Sequence, residues 1–177
     1  ARAIKALDGS AMRVGVVGLG TGTLAAFGRP GDIYRFYEIN PQVIDVAMKE
    51  FSYLTDTPAK IENLLGDARL TMEREPAQNY DVLAIDAFSS GSIPIHLLTR
   101  EALQAYRRHL APGGVIVYNV TNRFVNLAPQ LKLVAEAEGM KAIDSEMTKT
   151  VGTTSNHHIT EIECQPITRC GKNLGTG

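Results

Sequence analysis

A glycine-rich turn directly after a short apolar run constrains this chain more than any other feature. The run Val14–Val17 is followed at once by Gly18-Leu19-Gly20-Thr21-Gly22 and then by the short apolar segment Thr23–Phe27. Glycines let the chain turn tightly and let a ligand approach the backbone closely. The pattern predicts a strand, a loop and a short helix whose positive end faces the loop. A tight turn without any ligand would produce the same pattern.

The rest of the chain repeats this order of strand and helix. We predict a helix that starts at Asn40-Pro41 with an apolar face of Val43, Val46, Ala47 and Phe51, one over Leu98–Leu110, and one from about Asn126 to Gly139. Further strands are predicted at Ile33–Tyr37, Ile61–Leu65, Tyr80–Ile85, Val115–Val120, Ala142–Met147 and His158–Cys164.

This alternation is typical of a parallel sheet with helices on both faces. The last two predicted strands are joined only by residues 148–156, which is too short for a parallel crossover, so this pair should be antiparallel. The sequence therefore predicts an α/β fold, with a doubly wound, mostly parallel, seven-stranded Rossmann-like sheet and an antiparallel C-terminal hairpin. Residues 1–164 would form one domain, and 165–177 a loose tail.

Composition excludes several classes of function. The 177 residues carry 18 Lys and Arg against 19 Asp and Glu, so there is no basic excess for nucleic-acid binding. No apolar run approaches the roughly 20 residues of a membrane span. Residues 1–12 do not resemble a signal peptide, which favours a cytoplasmic location with Cys164 and Cys170 reduced. The four histidines do not converge, so we expect no metal site.

Three acidic residues stand where predicted strands end. Glu38 follows the second strand, Asp67 the third and Asp86 the fourth. Because the carboxyl ends of parallel strands share one edge, these acids should lie near the glycine loop. An acid about 20 residues beyond the glycines suits the two hydroxyls of a ribose, although it could also be a solvated strand end. Asp67 could accept a hydrogen bond from an exocyclic amine or cap the helix that starts near Ala68.

The spacing and order of these motifs resemble a known family. The stretches that carry the resemblance, between Arg13 and Val120, are VGVVGLGTGTLAAF, YRFYEINPQVIDVA, LLGDAR, YDVLAIDAF and LAPGGVIVYNV. They are similar to the class I S-adenosylmethionine-dependent methyltransferase fold and, within it, to the spermidine synthase (polyamine aminopropyltransferase) branch. Val16 favours that branch, because methyltransferases usually carry an acid at this position. The G-x-G-x-G spacing also differs from the G-x-G-x-x-G of dinucleotide-binding proteins.

The resemblance implies the ligands and the role of each site residue. The cofactor would be S-adenosylmethionine or its decarboxylated form, without a metal, and the acceptor a small molecule such as an amine. Asp86 would be catalytic, accepting a proton from the attacking amine or orienting it. Glu38 would bind the ribose of the cofactor. The glycine loop would bind the cofactor's arm through Gly18, Gly20, Thr21 and Gly22. The adenine would be bound by Ile39, Asp67 and Ala68.

The chain also departs from the family. Thr21 stands where the family has an aspartate, and Ser89 where it has a second acid after the catalytic aspartate. The twelve residues before Arg13 are too few for the family's N-terminal β segment, which we expect to be absent. Residues 86–94 are predicted to form a flap rich in small residues, with Ser89, Ser90 and His96 as acceptor-side candidates.

Three hypotheses on function and one on assembly remain open at this point. The chain could be a transferase like spermidine synthase, a small-molecule methyltransferase, or a truncated or non-catalytic relative that binds a nucleoside. A homodimer could form through exposed apolar side chains, for which the candidates are Leu97, Leu98 and Tyr106, or Ile159 and Ile162 of the edge hairpin.

Overall fold

A parallel sheet forms the centre of the molecule. The computed structural model describes residues 9–88, 93–120, 126–147 and 157–164. Its parallel strands lie in the order β3-β2-β1-β4-β5. They comprise β1 (Arg13–Val17), β2 (Ile33–Glu38), β3 (Lys60–Leu65), β4 (Tyr80–Ile85) and β5 (Leu110–Asn119). Beyond β5 the sheet continues with β7 (His157–Cys164) and β6 (Met140–Met147), which pair antiparallel.

Helices cover both faces of this sheet. They are α1 (Pro41–Glu50), α2 (Tyr53–Asp56), α3 (Ala68–Arg74), α4 (Arg100–Arg108) and α5 (Ala128–Ala137), with 3₁₀ helices at Thr23–Phe27 and Ile95–Leu97. One buried apolar cluster includes Met72 of α3, Leu103 of α4 and Leu131 of α5. The other contains Ala47 of α1 and Leu54 of α2. A parallel α/β sheet covered on both faces, as the alternation predicted, is confirmed.

Local signals in the sequence set several helix starts. The Asn40 side chain accepts a hydrogen bond from the Gln42 N–H at 3.0 Å, and a proline follows it in the first turn of α1. Thr99 caps α4 in the same way, since its hydroxyl accepts from the Ala102 N–H at 3.2 Å. The predicted helix over Leu98–Leu110 is therefore shorter at both ends.

Two local predictions need correction. The apolar face of α1 is partly the predicted one: Val43 and Ala47 contact the core together with Ile44, but Val46 and Phe51 are exposed. Strand β5 begins at Leu110 rather than Val115. Its register against β4 jumps from Tyr80 opposite Leu110 to Val82 opposite Val115, so the Pro-Gly-Gly segment bulges within the strand instead of preceding it.

The surfaces predicted for a homodimer are also different in the structure. Leu97, Tyr106 and Ile162 are buried in the core of the chain itself, because the 3₁₀ helix, α4 and β7 all pack inward with these side chains. Leu98 is partly buried against the same cluster. The side chain of Ile159 and the predicted tail, residues 165–177, lie outside the described part.

Candidate functional site

A cavity opens at the carboxyl edge of the sheet, where β1 lies between β2 and β4. Its volume is about 550 Å³. Strand order reverses direction at β1, which is where open α/β sheets bind ligands. The lining comes from the ends of β1 to β4 and the segments that follow them, and it includes Gly18, Leu19, Gly20, Tyr37, Glu38, Ile39, Asn40, Val43, Gly66, Asp67, Ala68, Asp86, Ala87, Phe88, Pro94, His96 and Leu97.

The glycine loop presents its backbone to this cavity. Gly18 has φ +93°, and a Cβ there would lie 2.6 Å from the Asp86 carbonyl oxygen, so only glycine fits between the two loops. Gly20 has φ +54°, and a Cβ at that position would meet nothing within 4 Å. The loop is thus tight on its sheet side at Gly18 and open on its cavity side at Gly20.

Thr21 and Gly22 lie away from the cavity. The Thr21 hydroxyl pairs with the Thr23 hydroxyl at 2.7 Å, and Gly22 lies against Leu54 of α2. Neither residue is part of the cavity wall. The segment that follows is a five-residue 3₁₀ helix over Thr23–Phe27, the range predicted for a short helix.

Glu38 connects the glycine loop to the end of β2. The residue is 9% exposed, and its two carboxylate oxygens accept backbone N–H groups from Leu19 at 3.0 Å and from Asn40 at 2.9 Å. A carboxylate has about four acceptor positions, so each oxygen can accept one more hydrogen bond from the cavity side. Sequence reasoning found Glu38 but missed that it also holds the loop, because that contact depends on the three-dimensional turn.

Asp67 is a helix cap that also faces the cavity. Its Oδ1 accepts from the Leu70 N–H at 2.9 Å at the start of α3. Its Oδ2 lies 3.3 Å from Nε2 of His96, which comes from the 3₁₀ helix after β4. Ala68 and Ile39 line the cavity beside it, and Ile39 is 68% exposed. The two roles considered for Asp67 are compatible, since they use different oxygens.

Asp86 directly follows β4 and also lines the cavity. Its backbone N–H donates to the Val17 carbonyl at 2.9 Å, which joins it to β1. The residue is exposed. The amide Nδ2 of Asn119, at the end of β5, donates to Asp86 Oδ1 at 2.8 Å. Sequence reasoning missed Asn119, although it also ends a strand at this edge.

Of the three acceptor-side candidates, His96 alone belongs to the described residues. His96 lines the cavity, but it contacts Asp67 rather than Asp86. Ser89 and Ser90 lie outside the described residues, as does the middle of the predicted flap. Phe88 and Pro94, which belong to the predicted flap, and Leu97 also line the cavity, although none of them was predicted as a site residue.

The charges on the described cavity wall are mostly negative. Glu38, Asp67 and Asp86 contribute carboxylates, His96 is the one residue there that can become cationic, and this part of the wall contains no lysine or arginine. Such a wall favours a ligand with positive charge.

Below the cavity, a buried polar network fixes one of its lining residues. The Tyr37 hydroxyl lies 2.6 Å from the Tyr80 hydroxyl and donates to the Glu75 carboxylate, which also pairs with Arg35. Burial and the neighbouring Glu75 raise the pKa of Tyr37 to about 12, so its hydroxyl stays protonated at neutral pH. The ring that lines the cavity is therefore held from behind.

The described residues contain neither a candidate metal cluster nor a candidate membrane-spanning helix. No group of three or more His, Cys, Asp or Glu side chains there could hold a metal ion. No helix in those ranges is both long and apolar enough to cross a membrane.

Comparison with characterised sequences finds polyamine aminopropyltransferases. The enzyme of that name from Vibrio vulnificus is 33% identical over 117 residues, which are 60% of this chain and 37% of the relative. A probable polyamine aminopropyl transferase from Bifidobacterium longum is 31% identical over 128 residues, 68% of this chain and 26% of the relative. The chain thus spans well under half the length of these relatives. No family model matches it.

Comparison with solved structures identifies the fold. A probable spermidine synthase from Corynebacterium glutamicum superposes with a TM-score of 0.68 at 20% identity, covering 92% of this chain and 60% of the other. Human methyltransferase-like protein 13, solved with SAH, gives 0.65 at 21% identity, covering 94% and 76%. The chain has the α/β fold of spermidine synthases and class I methyltransferases, and the resemblance inferred from its motifs is confirmed.

Proposed function

We propose that the cavity binds an adenosyl sulfonium compound, S-adenosylmethionine or its decarboxylated form, and that the chain transfers an alkyl group from it to a small nucleophile. The best-supported reaction is aminopropyl transfer to an amine. One observation carries the proposal: three carboxylates at the ends of β2, β3 and β4 line a single cavity around an open glycine loop. Similarity to aminopropyltransferases over 117 residues supports it.

The residues present fit an adenosyl group. Glu38 keeps one acceptor position on each oxygen for the two ribose hydroxyls. Asp67 Oδ2 with Ala68 would meet the adenine amine, and the exposed Ile39 side chain would pack on the ring. Gly18 and Gly20 would pass beside the charged arm; Thr21 and Gly22 are not included, because they lie away from the wall.

The unit that binds this compound is proposed to be residues 1–164. We assign the β6–β7 pair as the antiparallel hairpin that completes a seven-stranded sheet of this fold.

The sulfonium supplies an activated carbon, so the protein has to align the nucleophile and manage one proton. An amine is protonated at neutral pH and attacks only after it loses a proton. The Asp86 carboxylate, oriented by Asn119, lies on the cavity wall opposite the adenine residues and would accept that proton. Holding the nitrogen in line with the carbon–sulfur bond supplies the rest of the rate enhancement.

A small-molecule methyltransferase is the second candidate. Its support is the fold shared with a methyltransferase solved with SAH, and a similarity of 30% over 136 residues to an N-terminal histidine N-methyltransferase from Emericella nidulans. A nucleoside-binding relative without activity is the third.

Calorimetric titration separates the three candidates. Aminopropyl transfer predicts that the decarboxylated sulfonium binds more tightly than S-adenosylmethionine, and a preference for the carboxylated form would contradict it. Binding of neither compound to folded protein would contradict every form of the proposal. Binding without turnover across a panel of amines and methyl acceptors would leave only the nucleoside-binding relative.

The Asp86→Asn variant tests the catalytic assignment. We expect it to bind the sulfonium normally and to lose about 100-fold in turnover, the usual effect of removing a general base. Asp45→Asn, on the exposed side of α1, is the matched control and should behave like the wild type. Equal turnover in the two variants would remove Asp86 from the mechanism.

A further inference from the structure

The cavity has two chemically different halves, because the sheet order places β2 and β3 on one side of β1 and β4 on the other. The β2–β3 half contains Glu38 and Asp67. The described residues of the β4 half, which we call the acceptor half, are Asp86, Ala87, Phe88, Pro94, His96 and Leu97.

Charge is distributed unevenly between these halves. In the β2–β3 half, both oxygens of Glu38 accept backbone N–H groups, and the two oxygens of Asp67 face the α3 N-terminus and His96. Among the described residues of the acceptor half, Asp86 has the one carboxylate, with its Oδ1 held by Asn119 at 2.8 Å.

Apart from His96, whose Nε2 lies 3.3 Å from Asp67 Oδ2, the other described residues of the acceptor half are apolar. The Phe88 ring is 43% exposed beside Asp86, and Pro94 and Leu97 line the same side. An ammonium group needs a carboxylate to offset the loss of its hydration, and an apolar wall offers none. One cationic group can therefore be paired here, while a second one on the same ligand would face apolar side chains or His96, which can itself become cationic.

We propose that the acceptor is a small monoamine, with one amino group at Asp86 and an alkyl or aryl body against Phe88, Pro94 and Leu97, rather than a diamine. This inference rests on the proposed function. In the reaction, the amine nitrogen forms a new bond to carbon with its lone pair as the carbon–sulfur bond breaks. The electron pair of that bond stays with sulfur, giving a neutral thioether, and the proton lost by nitrogen passes to the Asp86 carboxylate.

A matched pair of amines tests the proposal. n-Pentylamine and 1,5-diaminopentane have the same carbon chain and differ by one terminal amino group. Each is titrated calorimetrically into the chain saturated with 5′-methylthioadenosine, and each is then assayed as an acceptor with the decarboxylated sulfonium. We expect pentylamine to bind at least about tenfold more tightly and to be used with a correspondingly higher kcat/KM.

Substitution of Phe88 tests the cause of that preference. Phe88→Asp adds a second carboxylate beside the first and should shift the ratio of affinities at least about tenfold toward the diamine. Phe88→Leu keeps the wall apolar and should retain the preference for the monoamine. Because Phe88 is partly exposed, both variants should fold, which their thermal unfolding will establish.

The outcomes distinguish failure of the monoamine proposal from failure of the proposed function on which it rests. A folded chain that binds none of the adenosyl compounds overturns both. A chain that binds the nucleoside but takes the diamine more tightly, binds neither amine, or shows no shift in Phe88→Asp overturns the monoamine proposal alone.

Discussion

Carboxylates occur at both ends of the parallel sheet, and their surroundings differ. At the amino end, Asp32 precedes β2, is 3% exposed, and accepts from the N–H groups of Met12 at 2.7 Å and Arg29 at 2.9 Å, and from the Arg29 guanidinium. Asp81 is also buried there and accepts from the Arg13 N–H at 2.9 Å. Burial acts to raise the pKa of Asp32, but the hydrogen bonds from Met12 and Arg29 outweigh it and hold that pKa below its usual value.

At the carboxyl end, Glu38, Asp67 and Asp86 line a cavity. Each of them also accepts a hydrogen bond from the protein, so having a partner does not distinguish the two ends. The difference is where the remaining acceptor positions point. At the amino end the protein surrounds the carboxylates, which join loops to strands; at the carboxyl end part of each group faces open space. Position relative to strand direction, rather than residue type, indicates which acids are available to a ligand.

Asp32→Ala should produce the largest change in stability. It leaves the N–H groups of Met12 and Arg29 without their buried acceptor, so we expect the free energy of unfolding to fall by about 3 kcal/mol. Adenosyl affinity at the far edge should change less than about twofold. Urea unfolding and calorimetry measure the two quantities, with Asp45→Ala on exposed α1 as control. A large loss of affinity with unchanged stability would contradict the comparison.

The same variant has a defined pH dependence. Because the folded-state pKa of Asp32 is lowered, its contribution is complete above the unfolded-state pKa, about 4, and is lost as pH falls through the folded value. The difference in unfolding free energy between wild type and Asp32→Ala should therefore be constant from pH 8 to 5 and shrink below about pH 4. A difference that grows on acidification would contradict this assignment.

Glu38→Gln, in contrast to Asp32→Ala, should reduce adenosyl affinity more than it reduces stability. The amide keeps one acceptor oxygen but places an N–H₂ group against either the Leu19 or the Asn40 N–H. We expect a loss of about 1 kcal/mol in unfolding free energy and an adenosyl affinity about 30-fold weaker, equivalent to about 2 kcal/mol. Glu50→Gln, exposed at the end of α1, should change neither. If Glu38→Gln loses stability alone, Glu38 belongs with Asp32 as a structural acid.

Much of this edge of the sheet was predictable from order along the chain. Glu38, Asp67 and Asp86 each follow an apolar run, and parallel strands necessarily bring their carboxyl ends together. The limits of β4, Tyr80–Ile85, and the Asn40 cap of α1 also match the prediction, because each depends on residues adjacent in sequence.

What the sequence did not reveal depends on packing between distant segments. The Leu19–Glu38 and Asn119–Asp86 hydrogen bonds join residues 19 and 33 positions apart. The Pro-Gly-Gly segment is a breaker by local propensity, yet Leu110 still pairs with Tyr80 and extends β5 backward. Leu97 and Tyr106 were predicted to be exposed, because their burial depends on core residues that are distant in the sequence.

Tyr37→Phe tests a residue that lies both in the cavity wall and in a buried polar network. Its ring lines the cavity, while its hydroxyl lies in the buried network with Tyr80 and Glu75. Removing the hydroxyl leaves the Tyr80 hydroxyl without this partner, so we expect a loss of about 1.5 kcal/mol in unfolding free energy. The ring remains, so adenosyl affinity should stay within about twofold. Chemical unfolding measures the stability and calorimetry the affinity. A clear loss of adenosyl affinity would mean that the buried network also shapes the cavity.

Asp67→Asn should change stability least and still separate the two roles of one side chain. Asparagine caps helices about as well as aspartate, so its oxygen keeps the Leu70 N–H and unfolding free energy should change by less than about 0.5 kcal/mol. The amide nitrogen then occupies the place of Oδ2, where a donor would meet the donor of an adenine amine, and affinity should fall about tenfold. Asp67→Ala, the control, should lose about 1 kcal/mol of stability as well. Unchanged affinity in Asp67→Asn would leave Asp67 as a helix cap and move adenine recognition to the backbone around Ala68.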